Sequence, residues 1–221
     1  MELQKRITLL CGHYGSGKTN VAVNLAFQAA KTHPKVAIAD LDIVNPYFRT
    51  KDSREELSEA GIRLICSDYA NSNVDIPALP PEMYAITDDT SLKVIVDVGG
   101  DDRGALALGR LAPAIRQEND YHMLMVINCF RPLTRTAEET CEVMREIEAA
   151  GGIPFTGLVN NSNVGEETTA EDVMDSMAYA EEVSRMTGLP ILGTTFKQTL
   201  KEEVAAAVPY PLALTLQKKI L

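Results

Sequence analysis

The chain has 221 residues, of which 45% are hydrophobic and 24% are charged. These proportions are those of ordinary globular proteins, so they exclude a disordered or a fibrous chain. The length favours a single folded domain over residues 1–221, and the formal net charge of −10 disfavours non-specific binding to nucleic acid or to anionic lipid.

The apolar segments and the cysteines bear on the cellular compartment. The apolar run at 7–12 is too short for a signal peptide, and no stretch approaches the roughly 20 apolar residues of a membrane helix. The cysteines are widely spaced without a C-x-x-C pair, which argues against a zinc knuckle, a redox motif or a disulfide framework; they are Cys11, Cys66, Cys129 and Cys141. We therefore expect a cytoplasmic protein without a stable membrane anchor.

Short apolar runs alternate with segments of helical periodicity along the chain, the pattern of a parallel sheet covered on both faces. The runs predict strands at 7–11, 36–40, 62–66, 93–97, 123–128, 155–160 and 191–195. The clearest helices are predicted at 18–31, 136–150 and 170–187, and residues 74–89 are predicted to be irregular surface. The fold class is accordingly α/β, with one doubly wound, mostly parallel sheet of about seven strands and helices on both faces.

The segment between the first predicted strand and helix has the pattern Gly12-x-x-x-x-Gly17-Lys18-Thr19. Glycines let the backbone curl until successive N–H groups point at phosphate oxygens, while the lysine contacts the outer phosphates and the threonine hydroxyl binds Mg²⁺. The helix N-terminus adds a favourable dipole for an anion. Strand, loop and helix together predict a phosphate-binding loop, here called the P-loop; the predicted nucleotide contacts are Gly12, His13, Gly15, Ser16, Gly17, Lys18, Thr19 and Asn20.

A second element follows the predicted strand at 93–97, which ends in Asp97-Val-Gly-Gly100. An acidic residue at the carboxyl end of a strand beside the P-loop holds the metal through water, and a following glycine N–H senses the γ-phosphate. The same residues also suit an ordinary turn. The P-loop favours the first interpretation, with Asp97 at the metal and Gly100 in catalysis.

A third element is the strand that ends in Asp40-Leu41-Asp42. With the P-loop before it, this segment resembles the D-x-D strand of the MinD/ParA/CobB-type P-loop ATPases of the SIMIBI class. The resemblance covers nearly the whole chain. It implies that Asp42 orients or activates the attacking water, that Asp40 supports the metal site, and that the cofactors are ATP and Mg²⁺.

The same resemblance extends to the segments predicted to flank the base. Gly157-Leu-Val-Asn160-Asn161 resembles the family's strand that ends in a base-contacting asparagine, and the segment 189–196, ending in Phe196, resembles its second base-flanking segment. An asparagine at a strand end is otherwise an ordinary turn residue. Because an amide can pair with adenine and the guanine-reading N-K-x-D pattern is missing, ATP is preferred over GTP.

Several residues depart from the family pattern. His13 stands where many members carry a signature lysine that reaches the partner's phosphates, and Tyr14 stands where glycine is usual. Arg49 and Arg103 are alternative cations, or else solvated surface charges. Cys129 is the nearest candidate for a metal ligand, although a small buried residue is the simpler interpretation. The tail at 211–221 either forms a short amphipathic helix, as in membrane-targeted relatives, or packs on the domain.

These features lead to a Mg-ATP-dependent switch with slow hydrolysis, which forms a homodimer when ATP is bound and acts on an unidentified partner protein or metalloenzyme. Because the chain is acidic, metallocentre assembly or maintenance of a redox enzyme ranks above DNA partition, and no nucleic acid partner is expected. One alternative is a small-molecule kinase or ligase of the dethiobiotin or cobyrinate synthetase type. Another is an ATP-binding module with little turnover.

Overall fold

The computed structural model describes residues 4–41, 51–66, 79, 81–100 and 102–215, with the side chains of all but 51–53, 102 and 103. The strands are β1 (Ile7–Cys11), β2 (Val36–Leu41), β3 (Ile62–Cys66), β4 (Lys93–Val98), β5 (Tyr121–Ile127), β6 (Gly157–Asn160), β7 (Ile191–Lys197) and β8 (Pro211–Leu214). The helices are α1 (Lys18–Ala30), α2 (Lys51–Glu59), α3 (Ala85–Asp88), α4 (Asp102–Glu118), α5 (Ala137–Gly151), α6 (Ala170–Thr187) and α7 (Lys201–Val204).

The strands form one sheet in the order β3-β2-β4-β1-β5-β6-β7-β8, and every neighbouring pair is parallel. Strands β1, β2 and β4 are buried along their whole length because helices cover both faces of the sheet. One core layer packs α1 and α2 against the sheet, and the other packs α4, α5 and α6 against the opposite face. The predicted doubly wound α/β fold is therefore confirmed.

All seven predicted strands are present, with ends that differ by at most two residues. The eighth strand, β8, was not predicted, and the helix considered for 211–221 is wrong for residues 211–214, which pair with β7. Leu212 and Leu214 are buried while Pro211 and Ala213 are more exposed. A four-residue apolar run is too short to distinguish a strand from a helical turn, so packing against β7 decides the outcome. Residues 216–221 lie outside the described part.

The three predicted helices are present, and the ends of two of them, α5 and α6, are specified locally. Thr136 and Thr169 cap α5 and α6 through reciprocal hydrogen bonds with Glu139 and Asp172. Gly152 and Gly188 terminate the same helices in the left-handed conformation.

Helices α2, α3, α4 and α7 were not predicted. Helix α4 contains Pro113, which interrupts the pattern of good helix formers, but the apolar face that holds Leu108, Leu111 and Ile115 is buried and fixes the helix. The prediction of irregular surface at 74–89 is wrong for 81–88, which form a 3-10 turn and α3, with Met83 and Ile86 buried. No helix in the described part of the chain is long and apolar enough to cross a membrane.

Candidate nucleotide-binding site

The P-loop joins the carboxyl end of β1 to α1 at the middle of the sheet. Gly12 has φ +146°, and a Cβ at this position would lie 2.5 Å from the carbonyl oxygen of Val126 in β5. Gly17 has φ +89°, and its Cβ would lie 2.2 Å from Nδ2 of Asn161. Both positions therefore require glycine, first for the turn and then for the close approach of neighbouring elements. The predicted loop and its setting are observed.

Lys18 begins α1 and is 7% exposed. Its ammonium Nζ lies 3.3 Å from the carbonyl oxygen of His13, to which it donates a hydrogen bond across the loop. A Cβ built on Gly100 would lie 2.8 Å from the same Nζ and 2.8 Å from the backbone nitrogen of Tyr14. The loop after β4 thus rests directly on the P-loop, and the structure brings Lys18 and Gly100 together as the sequence predicts.

Two predicted metal-site carboxylates lie on adjacent strands. Asp40 in β2 is paired in register with Asp97 in β4, and both are buried. The hydroxyl of Thr19 donates to Oδ2 of Asp97 at 2.6 Å. Asp42 lies outside the described residues. Hydroxyl and carboxylate oxygens are the hard ligands that suit Mg²⁺, so the residues present fit the Mg²⁺ ion that the resemblance implies.

The two asparagines at the end of β6 point in different directions. Asn160 donates to the hydroxyl of Ser176 in α6 at 2.8 Å and accepts from the backbone of Ser162. Asn161 instead reaches the P-loop, where Nδ2 donates to the carbonyl oxygen of Ser16 at 2.6 Å, and its Oδ1 accepts from Thr195. Only Asn161 of the predicted pair is brought to the phosphate loop.

A small cavity opens beside the P-loop at Asn161. Asn20 from α1, Thr195 and Phe196 from β7, and Asn163 from the loop after β6 are among its lining residues. Phe196 is 4% exposed. The cavity therefore brings together three of the predicted nucleotide contacts: Asn20, predicted with the P-loop, and Asn161 and Phe196, predicted to flank the base.

The residues that replace the family's lysine and glycine lie at the tip of the loop. Nδ1 of His13 is 2.9 Å from the carbonyl oxygen of Tyr14. The side chain of Tyr14 is 64% exposed. Arg49 lies outside the described residues, as does the side chain of Arg103.

Arg131 is a residue of the site that was not predicted. It lies in the turn after β5, and a Cβ built on Gly15 would be 3.6 Å from its Nε and 3.8 Å from its Cζ. A cation followed by proline at the end of the strand next to the P-loop strand is a signal that could have identified it, once the sheet order was known.

No cluster of three or more histidine, cysteine or acidic residues that could hold a metal ion occurs in the described part of the chain. Burial raises the pKa of the Cys11 thiol to about 12, against the smaller opposing effect of the nearby Lys18 ammonium. Cys11 is therefore a neutral core residue at physiological pH. Cys129 is partly buried, and its backbone nitrogen donates to Ser162.

Replacing Asn161 with alanine is expected to lower the free energy of unfolding by about 2 kcal/mol, because the Ser16 carbonyl and the Thr195 hydroxyl lose their partner inside the protein. Urea unfolding followed by circular dichroism measures this loss. Gln117→Ala, which removes an exposed amide from α4, is the matched control and should change stability by less than about 0.5 kcal/mol. Equal stability of the two variants would contradict the bracing role of Asn161.

Comparison with solved structures shows the same fold in proteins of low sequence identity. FtsY of Thermotoga maritima matches with a TM-score of 0.59 and 15% identity, over 87% of this chain and 62% of its own. Chloroplast FtsY of Physcomitrella patens matches with a TM-score of 0.57 and 16% identity, over 85% and 57%. The 54 kDa signal recognition particle protein of Aeropyrum pernix K1, in complex with GDP, matches with a TM-score of 0.54 and 19% identity, over 85% and 40%.

These likenesses concern the fold, since the identities are low and the chain spans between 40% and 62% of the length of these three proteins. No curated protein matches the sequence. A family model described as the CobQ/CobB/MinD/ParA nucleotide binding domain matches residues 7–194. That match takes in the P-loop, both described carboxylates and the strands on either side of them, and the chain belongs to the CobQ/CobB/MinD/ParA nucleotide-binding domain family.

Proposed function

We propose that this protein is a Mg-ATP-dependent switch that changes a surface for a partner protein when the γ-phosphate is present. The observation that carries the proposal is the loop after β4. Near the end of β4, Asp97 accepts a hydrogen bond from the Thr19 hydroxyl, and in the loop that follows, Gly100 rests on Lys18 and on the backbone of Tyr14. A single short loop therefore connects the proposed metal site to the end of the P-loop where the outer phosphate would lie.

The loop is also coupled tightly to α4. A Cβ built on Gly104, in the first turn of α4, would lie 2.6 Å from Cα and from the carbonyl oxygen of Gly99. Because there is no space between the helix and the loop, a shift of Gly99 and Gly100 towards a phosphate displaces the start of α4. Helix α4 packs on α5 and exposes Leu106. Such a packed loop and helix can convert a small local shift into a change of surface.

The proposed binding of Mg²⁺ and of the phosphates rests on residues at the carboxyl ends of β1, β2 and β4. Thr19 and Asp97, supported by Asp40, would hold Mg²⁺, which supplies charge neutralisation for the phosphate oxygens. Lys18 and the P-loop amides bind and orient the polyphosphate. Asp42 is proposed to orient the attacking water, as the family resemblance implies.

The base is proposed to lie against Asn161 and Phe196, outside the cavity of about 20 Å³ that these residues line, because that cavity is too small to hold a purine. The polar atoms of the cavity are amides and hydroxyls from Asn20, Asn161, Asn163 and Thr195, and the segment after β6 lacks the lysine and aspartate of the guanine-reading N-K-x-D pattern. These features support ATP as the nucleotide. GTP is the necessary competitor in any test, because the fold neighbour from Aeropyrum pernix is a GDP complex.

The direct test measures affinity for ATP and GTP by isothermal titration calorimetry, with and without Mg²⁺, together with molar mass by light scattering and release of phosphate. We expect ATP to bind more tightly than GTP, Mg²⁺ to strengthen binding, phosphate release to need no small-molecule acceptor, and mass to double when ATP is bound. Tighter binding of GTP would overturn the choice of nucleotide. Phosphate transfer only with an added acceptor would favour the kinase or ligase alternative.

Replacing Asp97 with asparagine is expected to reduce the Mg²⁺-dependent gain in ATP affinity about tenfold, because the neutral amide is a poor ligand for a hard divalent cation. The measurement is ATP affinity at saturating Mg²⁺ and in excess chelator. Asp175→Asn, which removes one exposed carboxylate from α6, is the matched control. An Asp97→Asn protein that keeps the full Mg²⁺ effect would remove Asp97 from the metal site.

A further inference from the structure

Arg131 belongs to a turn that begins at the end of β5, the strand next to β1 in the sheet. Its guanidinium lies over Gly15, at 3.6 Å from Nε and 3.8 Å from Cζ to the position that a Cβ of Gly15 would take. Gly15 has φ +77° and lies in the stretch of the P-loop between Tyr14 and Ser16. Arg131 is therefore placed against the face of the loop by its position in the fold.

The turn that carries Arg131 is held by buried polar contacts. The backbone nitrogen of Arg131 donates to the carbonyl oxygen of Asn128 at 3.2 Å, and Oδ1 of Asn128 accepts from the backbone of Phe130 at 3.0 Å. The hydroxyl of Thr134 donates to the same Asn128 carbonyl at 2.8 Å. Asn128 and Thr134 are both fully or almost fully buried. Pro132 restricts the preceding Arg131 to extended backbone, where it has φ −105° and ψ 142°, so these contacts and the proline together fix the backbone from which the Arg131 side chain starts.

The guanidinium of Arg131 has a hydrogen-bond donor that is not used within the described part of the protein. Its Nε is buried, and no described residue accepts a hydrogen bond from it. A buried cationic donor without an acceptor is unfavourable, so an anion at this place would be bound strongly. The planar fork of arginine is suited to phosphate oxygens, to which it can donate two parallel hydrogen bonds.

The rest of the P-loop is poor in charge. Between residues 12 and 19, Lys18 is the one permanently charged side chain, and His13 stands at the position of the family's signature lysine. A nucleotide polyphosphate carries several negative charges, so a second cation at the loop would contribute to its binding.

We propose that Arg131 is a phosphate ligand of the bound nucleotide, donated by the same chain and acting beside Lys18 where the signature lysine is missing. The proposal deepens the proposed function and rests on it. Arg131 contacts the polyphosphate rather than the base, so ATP and ADP both depend on it.

The test uses Arg131→Met, which keeps an aliphatic stem against Gly15 but removes the charge, and Arg131→Lys, which keeps the charge. We expect Arg131→Met to weaken ATP and ADP binding at least about tenfold, and Arg131→Lys to recover a large part of that affinity. Arg135→Met is the matched control, because Arg135 lies in the same segment and is exposed; it should bind like the wild type. Melting temperatures without nucleotide report any loss of packing.

Two outcomes would overturn the proposal: Arg131→Met binding ATP within twofold of the wild type, or Arg135→Met losing as much affinity as Arg131→Met. Different results would show that the proposed function itself is wrong. If the wild type binds neither ATP nor GTP, or if Lys18→Ala binds as well as the wild type, the nucleotide site itself is wrong. If Lys18→Ala loses binding while Arg131→Met does not, only the role of Arg131 is wrong.

Discussion

Replacing Lys18 with alanine is expected to weaken ATP binding about a hundredfold, equivalent to about 2.7 kcal/mol. The physical reason is the position of the ammonium group, which is almost buried between the P-loop carbonyl of His13 and the backbone of Gly100. In such a setting its attraction to phosphate oxygens is only weakly screened by solvent. Fluorescence titration with a labelled ATP analogue, followed by displacement with ATP, measures the loss.

Lys31→Ala is the matched control for Lys18→Ala. Lys31 lies at the opposite end of α1 and is exposed, so its removal changes the net charge equally without touching the loop. Circular dichroism must show that both variants are folded. An Lys18→Ala protein that binds ATP within twofold of the wild type would contradict the assignment of residues 12–19 as a phosphate-binding loop.

The sheet was largely predictable because its strands are local features. Strands β1, β2 and β4 are mostly apolar runs that are followed directly by Gly12, Asp42 and Gly99, and such runs are typical of strands buried on both faces. Helix α4 was not predictable in this way, because Pro113 and the glycines before the helix suggest a loop. The helix is stabilised by the burial of Leu108 and Ile115 against residues that are distant in sequence. Strand β8 was not predicted either, because it is stabilised by pairing with β7 and its own short sequence does not indicate a strand.

Some residues of the candidate site were likewise predictable from the sequence, and others were not. Thr19, Asp97 and Gly100 were predicted to act together, and the structure brings them together, because strand ends of a parallel sheet meet at one edge. The choice between Asn160 and Asn161 was not available from sequence, since Asn160 ends β6 and Asn161 begins the loop, and only the fold shows that Asn161 reaches the P-loop. Arg131 requires knowledge that β5 lies beside β1, which a sequence pattern does not contain.

Replacing Gly100 with alanine tests the switch rather than the binding site alone. The added methyl group would lie 2.8 Å from Nζ of Lys18 and 2.8 Å from the backbone nitrogen of Tyr14. Lys18 is almost buried and Tyr14 contributes backbone, so neither can yield without moving the P-loop or the loop after β4. Both movements displace the groups that the γ-phosphate would contact.

We expect Gly100→Ala to keep ADP affinity within about threefold and to slow ATP turnover about a hundredfold, because a displacement of 1 Å at reacting groups has an effect of that size. Phosphate release under single-turnover conditions separates turnover from binding, and light scattering reports whether the ATP-bound dimer still forms. Gly109→Ala in α4 is the matched control, since a Cβ there would meet the carbonyl oxygen of Ala150 in α5 at an ordinary 3.5 Å. Because the clash lies between the phosphate loop and the loop coupled to α4, Gly100→Ala should lose the ATP-induced change of mass together with turnover. Loss of turnover with normal ATP-dependent dimerisation would place the switch elsewhere in the molecule.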